Sequence, residues 1–276
     1  MREMKEECPM SKDIVSLDGT KISYRIHRYK SKRFLVFIHG LSGNSTAFNP
    51  IMKSFNIRGV STLAMELRGH GKSNKRTEIT IEKCALDLDH ILKKEGIEKC
   101  TLVGHCFGGP IALEFYKMFP KKVESMVLMN STYSSPFAER KINEKIKKLL
   151  LKILNKSLKY HRPVRKRFLY NNCELYKKRG LMFILLKDLL ANPTETYIKS
   201  LIAYFNNNQE PLLSKIKVPV LIISGKKDVY ISYKASEFMS DRIKGSKLII
   251  LEKADHIPLI RNPRLIFEIL SDFCVT

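Results

Sequence analysis

A chain of 276 residues with 44% hydrophobic content is long enough for one large domain carrying an insertion, and none of its apolar runs is long enough to span a bilayer. Its opening, MREMKEECPM, is charged where a secretory signal would be apolar, so the reading is of a cytoplasmic protein with reduced thiols. The formal net charge of +23 favours acidic surfaces or anionic ligands, or else is a lysine-rich bias of composition without a partner; no nucleic-acid-reading motif accompanies it, which excludes specific nucleic-acid binding.

In chain order, KISYRIHRY (21–29) alternates polar and apolar residues and predicts a half-exposed antiparallel strand at a sheet edge. FLVFIHG (34–40), STLAMEL (61–67), CTLVGHC (100–106), ESMVLMN (124–130), VPVLIISG (218–225) and SKLIILEKA (246–254) are short apolar runs that predict buried strands. Amphipathic segments at 80–95, 107–119, 232–243 and 262–274 predict helices between them. Strand–helix alternation of this kind implies an α/β fold, with a mostly parallel central sheet covered by helices on both faces.

The rhythm stops between 133 and 213, which predicts an inserted helical lid (133–213) on a core formed by 1–132 and 214–276. Its first segment, KINEKIKKLLLKILNKSLKY (141–160), places Ile142, Ile146, Leu149, Leu150 and Ile153 on one helical stripe, expected to pack on the protein itself. Lys145, Lys148, Lys152 and Lys156 fall mostly off that stripe, and Arg165, Lys166 and Arg167 follow as candidate contacts for an anionic substrate. The same basic lid is a candidate for weak association with acidic surfaces.

The chemistry concentrates at GHCFGG (104–109), a tight turn from an apolar strand into a helix. Gly104 and Gly108 leave room for a strained backbone around Cys106, with His105 and Phe107 beside it. A helix N-terminus stabilises a thiolate, although a cysteine on such a turn can also be a buried, inert thiol. Acyl transfer needs a base, an acid that orients it and donors for the oxyanion. SGKKD (224–228) ends a strand with Asp228, KADHIPL (253–259) follows the next with His256, and the HGLSGN loop (39–44), through Gly40, could present the Leu41 N–H opposite that of Phe107. Gly71-Lys72-Ser73 mimics the end of a phosphate-binding loop, but the glycine needed five residues earlier is Glu66. The six cysteines lack zinc-site spacing, and neither a metal nor a cofactor is expected.

Taken together, HGLSGN, ELRGHGKS (66–73), GHCFGG, GKKD and ADHIPL resemble the successive motifs of the α/β-hydrolase superfamily, in the group with a lid after the sixth strand. The resemblance covers nearly the whole chain. It implies a triad of Cys106, His256 and Asp228, oxyanion donors at Leu41 and Phe107, and a small-molecule acyl substrate. Two positions depart from the family pattern: Glu66 replaces an aspartate, and Cys106 replaces the nucleophilic serine. An acyl-cysteine is a thioester, which favours amine and thiol acceptors over water more than an oxygen ester does. That chemistry tilts toward transfer, but the complete triad and the lid make hydrolysis of a carboxylic ester or thioester the expected function. The alternatives are an acyltransferase fed by an acyl-CoA-type donor, or a non-catalytic ligand-binding protein on the same fold. Leu181, Met182, Phe183 and Ile184 are expected to line the acyl pocket or to form the lid's own core.

Overall fold

The computed structural model describes residues 10–29, 33–74, 77–135, 144–158 and 193–274. Eight strands form one sheet: β1 (Met10–Val15), β2 (Lys21–His27), β3 (Phe34–Ile38), β4 (Ser61–Met65), β5 (Cys100–His105), β6 (Val123–Met129), β7 (Val220–Gly225) and β8 (Lys247–Leu251). Their spatial order is β1-β2-β4-β3-β5-β6-β7-β8. β1 and β2 run antiparallel to their neighbours, and the six strands β3 through β8 are parallel to one another.

Period-two side-chain alternation divides the core in two. In β3, Phe34, Val36 and Ile38 enter one apolar cluster while Leu35 and Phe37 enter the other. The first cluster is covered by α2 (Ile81–Lys94) and α3 (Gly108–Met118), and the second by α1 (Asn49–Ile57) and α9 (Pro263–Cys274). Parallel strands buried on both faces have no polar side to show, which is why they read as continuous apolar runs. The remaining described helices are α4 (Glu144–Ser157), α5 (Thr194–Phe205), α6 (Glu210–Leu213), α7 (Tyr233–Arg242) and α8 (Pro258–Arg261). No described helix is long and apolar enough to cross a membrane.

Four expectations need correction. β8, predicted as a buried strand, is an edge of the sheet, and none of its five residues is fully buried. β2 is not the sheet edge: β1 pairs along its whole length, and Ile22, Tyr24 and Ile26 are fully buried. The edge strand MSKDIV buries only Ile14, too weak an apolar signal to be read as a strand. α1 has no counterpart among the predicted helices; Pro50 sits in its first turn, where no intrahelical N–H bond is lost, and Ile51, Met52 and Phe55 bury the inner face. Finally, the stripe on α4 does not pack inward. Ile146, Leu149, Leu150 and Ile153 are all exposed, while Leu151 and Leu154 are the half-buried residues of a helix that packs on α5. Ile142 lies outside the described residues.

Candidate active site

Five loops at the C-terminal ends of parallel strands converge, as ligand sites of open α/β sheets do. They carry Gly40 and Leu41 after β3, Cys106 after β5, Asn130 after β6, Asp228 after β7 and His256 after β8.

Cys106 occupies the left-handed backbone region at φ +52°, a conformation that costs a β-carbon-bearing residue about 1–3 kcal/mol. The surroundings impose it. The Cys106 N–H donates to Met129 O at 3.0 Å, and its carbonyl accepts from Ser131 Oγ at 3.0 Å and from the Gly109 N–H at 3.1 Å. The glycines are required by contact distance: a Cβ at Gly108 would lie 2.1 Å from Ile38 O, one at Gly104 2.6 Å from Gly108 O, and one at Gly40 2.9 Å from Cys106 Cβ. The turn thus holds the start of α3 against β3 and leaves the thiol partly exposed above the sheet.

Cys106 and His256 line the same cavity, close enough for the charge of Cys106 to act on the imidazole, whose Nδ1 lies 2.7 Å from Asp228 Oδ2. Asp228 is anchored in turn: Oδ2 accepts from Asn130 Nδ2 at 2.7 Å, and Oδ1 accepts from the N–H groups of Tyr230 at 2.8 Å and Ile231 at 3.1 Å. Burial opposes its charge, but hydrogen bonds from His256, the Ile231 N–H and Asn130 hold the carboxyl below its ordinary value. With that charge fixed, Nδ1 of His256 carries its proton toward Asp228, which leaves Nε2 as the nitrogen able to exchange a proton with a reacting group. Burial pulls the His256 pKa down; the charge of Cys106 and the Asp228 hydrogen bond outweigh it and bring the value to about 10.

His105 has the opposite electrostatics. Burial, then the nearby charge of His256, lowers its pKa to about 3, so it is neutral. Its Nε2 is 2.8 Å from the His256 carbonyl oxygen, an acceptor only, so the proton sits on Nε2 and ties the strand end to the His256 loop. On the other side, His39 spans the oxyanion loop: Nδ1 donates to Gly40 O at 2.7 Å and Nε2 accepts from the Leu67 N–H at 3.1 Å. The N–H groups of Leu41 and Phe107 donate to no described residue.

Glu66 closes the space that a phosphate-binding loop would leave open. Its carboxylate accepts from Ser45 Oγ at 2.9 Å and from the Lys72 N–H, and a Cβ at Gly71 would fall 2.1 Å from Oε2. The loop wraps its own anion. Beside Cys106 is a cavity of about 40 Å³, lined on its apolar side by Leu41, Phe48, Ile257, Leu259 and Ile260.

The structure therefore brings Cys106, His256, Asp228, Leu41, Phe107, Gly40, Gly104, His105 and Gly108 into one locus. Arg165, Lys166, Arg167, Leu181, Met182, Phe183 and Ile184 lie outside the described residues. Sequence reasoning missed Asn130, which bridges Asp228 and the Asp255 carbonyl from a positive φ of 44°. An asparagine ending a buried strand, tolerant of that backbone region, is the signal that could have found it. Tyr230, whose ring centroid is 5.2 Å from that of His256, and Tyr197, raised in pKa by burial and then by the charge of Cys106, carry no such signal.

Residues 34–263 match a protein family described as "alpha/beta hydrolase fold". A candidate carbamate hydrolase of Pseudomonas savastanoi pv. phaseolicola is 25% identical over 256 residues, which cover 91% of this chain and 97% of that protein. The proline iminopeptidase of Saccharolobus solfataricus is 23% identical, over 92% of this chain and 89% of the enzyme. Among solved structures, an esterase from Exiguobacterium antarcticum superposes with a TM-score of 0.78 at 22% identity, covering 97% of this chain and 100% of its own.

Proposed function

The chain belongs to the α/β-hydrolase family, and from that premise we propose that it hydrolyses carboxylic esters or thioesters through a covalent acyl-Cys106 intermediate. One observation carries the reading: a cysteine held at positive φ over the sheet shares a cavity with an imidazole whose Nδ1 meets a buried, anchored carboxylate.

In the first half-reaction, Cys106 Sγ attacks the carbonyl carbon, with the thiol proton on His256 Nε2. The carbonyl oxygen becomes an oxyanion that accepts from the Leu41 and Phe107 N–H groups. As the tetrahedral intermediate collapses, the bond to the leaving oxygen or sulfur breaks and His256 returns its proton to that atom. In the second, water loses a proton to Nε2 and attacks the thioester carbonyl; the C–S bond breaks, and the proton returns to Cys106. Asp228 stabilises the imidazolium in both steps without taking its proton. No resident cofactor is needed for either half-reaction.

We place the acyl group in the cavity of about 40 Å³ beside Cys106. With roughly 10–15 Å³ needed per water-sized position, it admits about three non-hydrogen atoms, which suits a short acyl chain.

The test is a panel of acyl esters and thioesters of increasing chain length, followed for products and for the mass of the Cys106 peptide. Short acyl groups should turn over fastest, with an acyl adduct on Cys106, and Cys106→Ala should lower kcat by roughly 10³- to 10⁶-fold. Full activity in Cys106→Ala would sink the reading. The same panel with amine, alcohol and thiol acceptors reads the partition between hydrolysis and transfer, which thioester chemistry makes worth measuring. Free acid as sole product at saturating acceptor excludes transfer to the acceptors tried.

A further inference from the structure

On α4, Ile146, Leu149, Leu150 and Ile153 are 51, 58, 37 and 52% exposed, a concentration of large apolar side chains found on no other described helix. At i, i+3, i+4 and i+7 they form a single stripe. At 100° per residue Lys145, Lys152 and Lys156 run along one border of it, with Lys148 behind them, and all four are exposed. The segment from 145 to 157, KIKKLLLKILNKS, contains no acidic residue. The opposite border, Leu151 and Leu154, is half-buried on the side where the helix packs against the protein.

We propose that this face of α4 docks in the plane of an anionic lipid surface. The helix is 14 residues long, about 21 Å, so it can lie flat with the isoleucines and leucines among the upper acyl carbons. The lysine stems run along that apolar surface while their ammonium groups reach the lipid phosphates. Charge decides between possible occupants. A second copy of a chain with net charge +23 would bring lysine row toward lysine row, whereas an anionic leaflet complements both the row and the whole molecule. The lipid is a docking surface here and not the substrate, so the inference holds apart from the hydrolytic reading.

Flotation of the full chain with phosphatidylcholine vesicles, with and without about one third phosphatidylserine, at about 0.1 M salt tests it. Binding is expected to the anionic vesicles only, and equally by Cys106→Ala. The variant Lys148→Glu/Lys152→Glu/Lys156→Glu should lose about 100-fold or more in partitioning, at about five-fold per lysine removed. Leu149→Ser/Ile153→Ser should lose about 10-fold or more. A charge-matched control, Lys121→Glu/Lys215→Glu/Lys244→Glu, alters exposed lysines preceding β6, β7 and β8 at the opposite end of the sheet from the site, and should stay within about three-fold. Failure to float with anionic vesicles overturns the proposal. So does an equal loss in the control, which would reduce binding to net charge, or unchanged binding in the serine variant, which would leave no inserted face. If sedimentation shows a dimer that the serine variant dissolves, a second copy covers the face instead.

Discussion

Two histidines one hydrogen bond apart are driven in opposite directions by their surroundings. His256 gains the charge of Cys106 and the Asp228 hydrogen bond against burial, while His105 has burial and a neighbouring cation against it and remains neutral. The consequence is a division of labour: the neutral ring is a fixed donor to the His256 carbonyl, and only the other ring moves protons. His105 is thus a positioning residue. His105→Ala should lower kcat by about 10²-fold, the scale of a misplacement near 1 Å, with KM little changed. His105→Gln, which restores an amide donor at similar reach, should recover part of the loss. A merely structural role would instead show in thermal stability with kcat per folded molecule intact, so melting curves and kcat measured on the same three proteins separate the two.

At the scale of elements, the elbow is a contact between α3 and β3 as much as a turn. A Cβ at Gly108 would sit 2.1 Å from Ile38 O, a backbone atom that cannot swing away, so helix and strand must separate. Gly108→Ala is expected to cost about 1–3 kcal/mol, measured by urea unfolding, and to move Cys106 off its partner; unaltered stability and activity would show that the helix can shift freely. Much of this architecture was legible because strands buried on both faces must be apolar throughout, and because the residues of the site lie at strand ends beside glycines, where the chain marks its own turns. Other parts were not. MSKDIV buries one apolar residue and takes its place in the sheet through backbone pairing with β2, which no side-chain pattern announces. The direction of the α4 stripe depends on what faces it in space: the periodicity shows that the helix is two-sided, and the fold decides which side meets the protein. Asn130 bonds Asp228 and the Asp255 carbonyl, and His39 accepts from the Leu67 N–H, groups distant in sequence and so a relation without any spacing to recognise.

For the whole molecule, a charge of +23 makes each carboxylate scarce, and several of the described ones are placed where they hold the fold together. Arg68, 1% exposed, is held bidentately by the fully buried Asp87 at 2.8 and 2.7 Å, and also by Asp18 at 2.9 Å. That pairing lies beneath the 66–73 loop and ties it to β1–β2 and α2. Removing Asp87 would leave a buried cation short of its main partner, a change that typically costs about 3–5 kcal/mol. Asp18 is lowered in pKa first by its hydrogen bond with Arg68, against burial. For Asp89 and Glu95 burial is the largest influence and raises the value, but Lys122 and Lys93 on the one, and Tyr24, Lys12 and Arg28 on the other, bring it below the ordinary range. Depressed folded values mean that the unfolded chain binds more protons in acid. The stability these groups contribute is therefore complete above the unfolded carboxyl range, about pH 4, and is lost as pH falls through their folded values. Protonation simultaneously removes the negative charge that offsets the lysines, so self-repulsion grows in the same window. Urea midpoints should begin to fall below about pH 6, where the unfolded chain protonates His105 while the fold holds it neutral, and fall more steeply below about pH 4. Added salt should recover the share lost to surface repulsion, which is screened, and little of the share lost where protonated Asp18 leaves the buried Arg68, which is not. A midpoint that holds constant down to pH 3, or that salt restores completely, would show that these pairs contribute nothing beyond net charge.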